Sequence, residues 1–415
     1  MPSCVKITKA TNSGRLKMDI KNNYKATVFT CCLGYITQAI MLNFPPLLYI
    51  FFQSEMGLSL GQVSVLISAN IITELVVDII VSKFADKLGQ RRLLIFGTAM
   101  AAVGLCSMIV LPDLLPNAFI ALLISMAICG MGGGIMEVLI SPVVEACPTD
   151  SKGGSMSFLH SFYCWGQAGV VIISTLFFLA FGIESWTIIA LIWTVVPLAC
   201  MVLFTKVPIY QLGSEEKKSG ALELFKSGLF WILVIMMICA GASELAMAQW
   251  ASAFAETAIN NSSLKWLTDI LGPGLFAICM AITRMLHGKF ADKLPIEKAL
   301  IVSSVICIIS YLITILAPVP AVALIGCSLC GVGVAIMWPA TFSMSASRMP
   351  NGGVLLFGLL ALAGDFGCLA GPFLAGQVST LFGDDLRAGF VLALIFPITL
   401  AVISAILLIK KIKSK

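Results

Sequence analysis

"SKFADKLGQRR" (residues 82–92) and "GKFADKL" (residues 288–294) are nearly the same charged phrase, and the second begins 206 positions after the first (288 − 82) in a chain of 415 residues. Each copy lies between long apolar runs. A phrase that returns after half a chain length marks an internal structural repeat.

The surroundings of the two phrases set the class. Hydrophobic residues make up 59% of the chain and charged residues 11%, where a soluble domain carries about 25% charged residues. This composition cannot cover a water-exposed surface, so the chain reads as an integral membrane protein. A spanning helix needs roughly 20 apolar residues. Twelve such stretches fall at about 28–52, 61–82, 93–112, 119–143, 156–180, 187–205, 229–257, 269–287, 299–317, 320–344, 354–380 and 388–409. They are long, continuous and lack period-two alternation, which favours helices over barrel strands. The expected fold is an all-α membrane protein of twelve transmembrane helices in two pseudosymmetric six-helix bundles, related as parallel repeats. The divisions are a tail at 1–25, a first bundle at 26–205, a basic linker at 206–228, a second bundle at 229–409 and a basic tail at 410–415. The run after the polar start is too long for a signal-peptide core, so no cleaved signal is expected. The CxxC at Cys327 and Cys330 lies inside a span and reads as packing.

Positive charge orients the chain. With the N-terminus in the cytoplasm, every Lys and Arg falls on the cytoplasmic side except Lys265, Arg387 and the intraspan Arg284. The net charge of +5 is thus a topology signal and does not argue for nucleic acid. The expected location is the cytoplasmic membrane, with both termini in the cytoplasm. Both charged phrases fall on the cytoplasmic side, after spans two and eight.

These loops resemble the major facilitator motif G-x-x-x-D-[RK]-x-G-[RK]-[RK]: Asp86, Lys87, Gly89 and Arg91 match, with Ser82 in place of Gly and Gln90 departing. The second copy keeps Gly288, Asp292 and Lys293 and diverges at Pro295. The resemblance implies a gate in which the motif Asp sits near the start of helix eleven, after Asn351-Gly352-Gly353, where free N–H groups carry partial positive charge. Asp86, Arg91 and Asp292 are its candidate members; headgroup anchoring is the other reading of the basic residues. A narrower resemblance is to the fucose-permease-like sugar:proton symporters. It rests on "CGMGGGIMEVLISP" (residues 129–142), "FLHSFYCWG" (residues 158–166) and "IMWPATF" (residues 336–342). Met41 stands where that group has a span-one carboxylate.

Carboxylates inside a membrane usually face a cavity or a partner. Glu74, Asp78, Glu137, Glu244 and Asp365 all fall within spans, against one clear intramembrane cation, Arg284. The resemblance implies that spans one, four, seven and ten line a central cavity. Glu137 then faces Trp338, which corresponds to it when "CGMGGGIM" is laid on "CGVGVAIM". A carboxylate opposite an indole suits a polyhydroxylated solute. Glu244, Gln249 and Trp250 project from one stretch of span seven, and Gln38 adds an amide. These six residues are the substrate-binding candidates. Glu137, Glu244, Asp365 and Glu74 are candidates for ion coupling, with Glu74 and Asp365 as an acid pair or sodium site. Asp78 and Arg284 occupy equivalent repeat positions (284 − 78 is again 206) and are candidates for a gate network.

The expected function is a secondary active transporter working by alternating access on a sugar or sugar-like solute. It carries no cofactor beyond a coupling ion, H⁺ or Na⁺, and works as a monomer, with the lipid bilayer and the small-molecule solute as its partners. Symport with protons is the first reading; a proton-coupled antiporter exporting amphipathic compounds is the alternative. No Walker loop, histidine ligand pair or Ser-His-Asp set is present, which argues against an enzyme and leaves no metal centre among the expected sites.

Overall fold

In the computed structural model of the chain, residues 23–211, 220–258, 274–383 and 386–413 are described, and among them every regular element is helical. Helices are what an apolar chain forms in lipid, because each backbone group then finds its partner within its own segment. The first half holds α1 (Tyr24–Asn43, continued beyond Pro45 by Tyr49–Met56), α2 (Leu60–Leu88), α3 (Gln90–Leu114), α4 (Ala118–Ala146), α5 (Lys152–Phe181) and α6 (Trp186–Lys206). The second holds α7 (Gly228–Ala258), α8 (Leu275–Phe290), α9 (Ile296–Leu316), α10 (Pro320–Val334, continued by Met337–Arg348), α11 (Gly353–Leu381) and α12 (Leu386–Ala393, continued by Ile395–Lys413). Among the described residues ten rods are long and apolar enough to cross a membrane. The count leaves out α2, which carries Glu74 and Asp78, and α8, which is 16 residues long as described. The chain is a multi-pass membrane protein.

Polar residues mark the helix starts. Ser59 and Gln62 close a reciprocal capping box at the head of α2: the Gln62 N–H donates to Ser59 Oγ at 3.2 Å, and the Ser59 N–H donates to Gln62 Oε1 at 2.9 Å. Asn117 and Ser151 cap α4 and α5 in the same sense. Gly89, at φ 87°, makes the sharp corner between α2 and α3 that a residue with a side chain would resist. Arg91, just past that corner, donates to the backbone oxygens of Phe204 and Val207 at 2.6 and 2.7 Å. It thereby satisfies carbonyls left free at the end of α6.

The repeat is visible in the packing. A Cβ added at Gly132 on α4 would stand 2.7 Å from the Ala101 nitrogen on α3, and one at Gly333 on α10 would stand 2.6 Å from the Cys307 nitrogen on α9. These are equivalent pairs in the two halves, and small residues let both helix pairs come close. Ile188, Leu191, Ile192 and Val195 on α6 and Val302, Val305 and Ile309 on α9 are exposed apolar side chains at helical spacing, as lipid-facing helices require. The bundles meet where α2 packs on α11 and α5 on α8. Close approach there runs through Gly358 against Ser82 and Gly154 against Gly288.

Candidate functional site

A cavity of about 810 Å³ lies between the bundles. It reaches from Glu137 and Trp338 past Asn43, Ser68 and Pro372, away from the basic loops. Its lining is apolar for the most part, with a few converging polar groups, as in small-molecule sites generally.

The polar groups form two connected sets. Gln38 on α1 donates from Nε2 to Glu137 Oε2 on α4 at 2.6 Å and to Glu74 Oε1 on α2 at 3.4 Å. The carboxylate oxygens of Asp78 on α2, Glu137 on α4 and Asp365 on α11 lie within 4.8 Å of one another. These three are the described residues whose geometry could hold a metal ion. Glycines make room for them: a Cβ at Gly133 would stand 2.9 Å from Glu74 Oε1, and one at Gly134 would stand 2.8 Å from Asp78 Oδ1. The second set centres on Arg284 of α8, which forms an ion pair with Glu244 of α7 at 3.5 Å. Pro339 lacks the N–H that would bond Ala335 O four residues back, and α10 is broken at that point. Arg284 Nε takes up that freed oxygen at 2.6 Å.

Toward the basic loops the cavity is closed. Tyr35 Oη shares a hydrogen bond of 2.7 Å with Ser141 Oγ, and His160 Nε2 lies 3.3 Å from Ser141 Oγ and 3.4 Å from Tyr35 Oη. Phe342 packs on the His160 ring, with centroids 5.8 Å apart. Arg284 Nη1 donates across the bundle boundary to His160 O at 3.1 Å and to Cys164 Sγ at 2.8 Å. Below, Ser157 Oγ donates to Arg284 O at 2.9 Å and Ser151 Oγ to Asp292 Oδ1 at 2.7 Å.

Of the sequence candidates, Gln38, Glu74, Glu137, Glu244, Arg284, Trp338 and Asp365 line this one cavity. Trp338 is held in place by its neighbours, since its ring fills the space over Gly364 and lies 6.2 Å from Phe342. Asp292 takes part in the closed face, while Asp86 is exposed at the last turn of α2. The side chains of Gln249 and Trp250 lie outside the described residues.

One expectation needs correction. The acid that Asp365 meets closely is Asp78, not Glu74; α11 crosses α2 lower, near Ser82 and Gly358, so Asp365 stands level with the later of the two α2 carboxylates. Asp78 and Arg284, equivalent in the repeat, belong to different polar sets: Arg284 pairs with Glu244 and bonds His160 O across the bundle seam, and Asp78 lies in the acid group. Met41 is fully buried in the core of the first bundle, and Gln38, one turn earlier, is the α1 side chain that meets the acids.

Sequence reasoning passed over Tyr35, Tyr163, Gln167 and Asn43, all of which line the cavity. The signal was available: residues 35, 38 and 42 on α1 and residues 160, 163 and 167 on α5 recur at helical spacing along single faces.

A sequence model of the Major Facilitator Superfamily matches residues 28–356. Among solved structures, the chain is similar to a major facilitator superfamily transporter, FucP, in the outward conformation. That match has a TM-score of 0.76 at 16% identity and covers 91% of this chain and 98% of that one. It is also similar to the proton:xylose symporter XylE bound to 6-bromo-6-deoxy-D-glucose, with a TM-score of 0.75 at 14% identity, over 92% of this chain and 94% of that one. The human organic anion transporter TETRAN gives a TM-score of 0.72 at 17% identity, over 92% of this chain and 100% of that one. At these identities the likeness is one of fold.

Proposed function

The chain belongs to the major facilitator superfamily, and from that premise we propose that it carries a sugar or sugar-like solute in symport with protons, working as a monomer in the cytoplasmic membrane. One observation carries the reading: carboxylates, an amide and an indole converge on a solute-sized cavity that is closed toward the basic loops. Glu137, Glu74 and Gln38 present acceptors and a donor to hydroxyl groups, and Trp338 presents an apolar face to a ring. The two solved sugar symporters, of fucose and xylose, share the fold and support the same substrate class. Glu137, Glu244, Asp365 and Glu74 are the groups whose proton uptake and release would accompany the switch between the two faces.

Export of amphipathic compounds finds less support. A soft lining of Met and Cys would favour it, but among the described lining residues Cys368 alone is of that kind. The test is uptake of labelled sugars into proteoliposomes under an imposed proton gradient. The expected result is accumulation above equilibrium that a protonophore abolishes. Movement indifferent to every proton or sodium gradient, and unchanged in Glu137→Gln, would overturn the symport reading.

A further inference from the structure

We propose that a second cavity, at the basic-loop end of the second bundle, binds a phosphate group between Arg348, Lys410 and Lys411. The site lies apart from the solute cavity and does not rest on the transport reading.

This cavity has a volume of about 610 Å³ and is lined by the starts of α7 and α9 and the ends of α10 and α12. Its walls carry three cations, Arg348, Lys410 and Lys411, against one carboxylate, Glu297. The surplus is two positive charges (3 − 1). Met344 and Leu407, both buried, supply apolar wall. Charges held against such a wall are screened less than charges surrounded by water.

Glu297 distinguishes the group from a fringe of surface lysines. Its side chain is 3% exposed. Arg348 Nη2 donates to Glu297 Oε1 at 2.7 Å, and Lys411 Nζ donates to both Glu297 oxygens at 3.0 Å. The buried carboxylate thus draws one cation from the end of α10 and one from the end of α12 to a single point. It offsets only one of the three charges. Among the described residues Lys410 has no ion-pair partner. Arg348 gives Nη2 to Glu297, and its Nε and Nη1 remain for a ligand.

The first half of the repeat is built differently. Glu297 is the counterpart of Arg91 (297 − 91 is 206), and Lys410 is the counterpart of Phe204 (410 − 204 is 206). Arg91 donates to the backbone oxygens of Phe204 and Val207, so that cation faces acceptors of its own bundle. In the second half the charge at the helix start is reversed. The cations stand instead at the facing helix ends, with a cavity in front of them.

The donor set selects the ligand class. A guanidinium fork and two ammonium groups match a tetrahedral oxyanion, and Arg–phosphate bonds are among the stronger hydrogen bonds. A phosphomonoester carries about −1.5 to −2 charges at pH 7, which matches the surplus. A carboxylate, with one charge, leaves half of it unmet. The phosphate can arrive on a soluble phosphomonoester or as the headgroup of phosphatidic acid, which bears the same group.

The experiment is amine-reactive labelling of the purified full chain, read by mass spectrometry at Lys298, Lys410 and Lys411. It is run in detergent with inorganic phosphate against chloride at equal ionic strength, and in phosphatidylcholine nanodiscs with and without phosphatidic acid. Saturable protection of Lys410 and Lys411 is expected. Lys298, exposed beside Glu297 but outside the cavity lining, should stay unprotected. Arg348→Gln should weaken the apparent affinity for phosphate about tenfold, and Lys410→Gln serves if Arg348→Gln does not fold. Protection by inorganic phosphate assigns the site to a soluble phosphomonoester; protection by phosphatidic acid alone assigns it to a lipid headgroup. Equal labelling in all four media overturns the site, as does protection of Lys298 equal to that of Lys410, or an affinity unchanged in the variants.

Discussion

Arg284 on α8 donates from Nη1 to the backbone oxygen of His160 on α5 at 3.1 Å, tethering a permanent cation of one bundle to the main chain of the other. The same guanidinium holds Glu244 and the carbonyl freed by Pro339. One side chain therefore joins a cavity acid, a helix break and the bundle seam.

Arg284→Ala should lower stability by about 3–5 kcal/mol, because Glu244 is then left in the cavity wall without its cation. Arg284→Lys should recover part of this, since an ammonium replaces the charge but cannot fork to several acceptors. Denaturation of the detergent-solubilised protein, read by tryptophan fluorescence, measures both. The Arg284→Ala, Glu244→Ala double variant should lose less than the two single changes added together, since each removes the other's unmet partner.

Glu137→Gln keeps an acceptor for the Gln38 amide, so binding of solute should survive. What it removes is the exchangeable charge. Gradient-driven uptake should fall at least about tenfold, while exchange of solute at equal concentrations on both sides continues. Counterflow and energised uptake in the same vesicles separate these effects.

Much of this architecture could be read from the chain. Apolar run lengths gave the rods, and Arg91 and Asp292, one from each charged phrase, bind neighbouring segments. The glycines at 130, 132, 133 and 134 let neighbouring helices come close to α4, the one obvious use of a missing Cβ between helices. The pairing of Asp365 with Asp78 was not legible. Glu74 and Asp78 share one face of α2, and which of them α11 meets depends on how far that helix slides along the seam. Pattern fixes the face of a helix, whereas packing fixes its height.

Gly134→Ala tests how tightly α2 and α4 must approach. The added methyl would press on Asp78 Oδ1 at 2.8 Å and on the Glu74 backbone oxygen at 2.9 Å. Overpacking of this kind costs about 1–3 kcal/mol. Gly169→Ala is the control: nothing lies within 4 Å of its Cβ, so helix propensity should make it neutral or more stable by up to about 1 kcal/mol. Paired melting curves decide.

Ser151 performs two tasks that can be separated. Its Oγ accepts from the Gly154 N–H at 3.1 Å, capping α5, and donates to Asp292 Oδ1 at 2.7 Å, joining the bundles at the basic-loop face. Asp292→Ala removes only the second bond. A hydrogen bond to a charged group at an exposed site contributes on the order of 1 kcal/mol, so loss of it should shift the population toward the opened face roughly fivefold. Ser151→Ala removes the cap as well, adding about 1 kcal/mol of local cost at the head of α5. Hydrogen–deuterium exchange with mass spectrometry reads the difference. Asp292→Ala should raise exchange in the facing ends of α5 and α8 together, and Ser151→Ala should raise it further in the first turn of α5 alone. Identical profiles for the two variants would mean that the cap contributes nothing, and an Asp292→Ala profile equal to that of the unaltered chain would mean that the cross-bundle bond contributes nothing to closure.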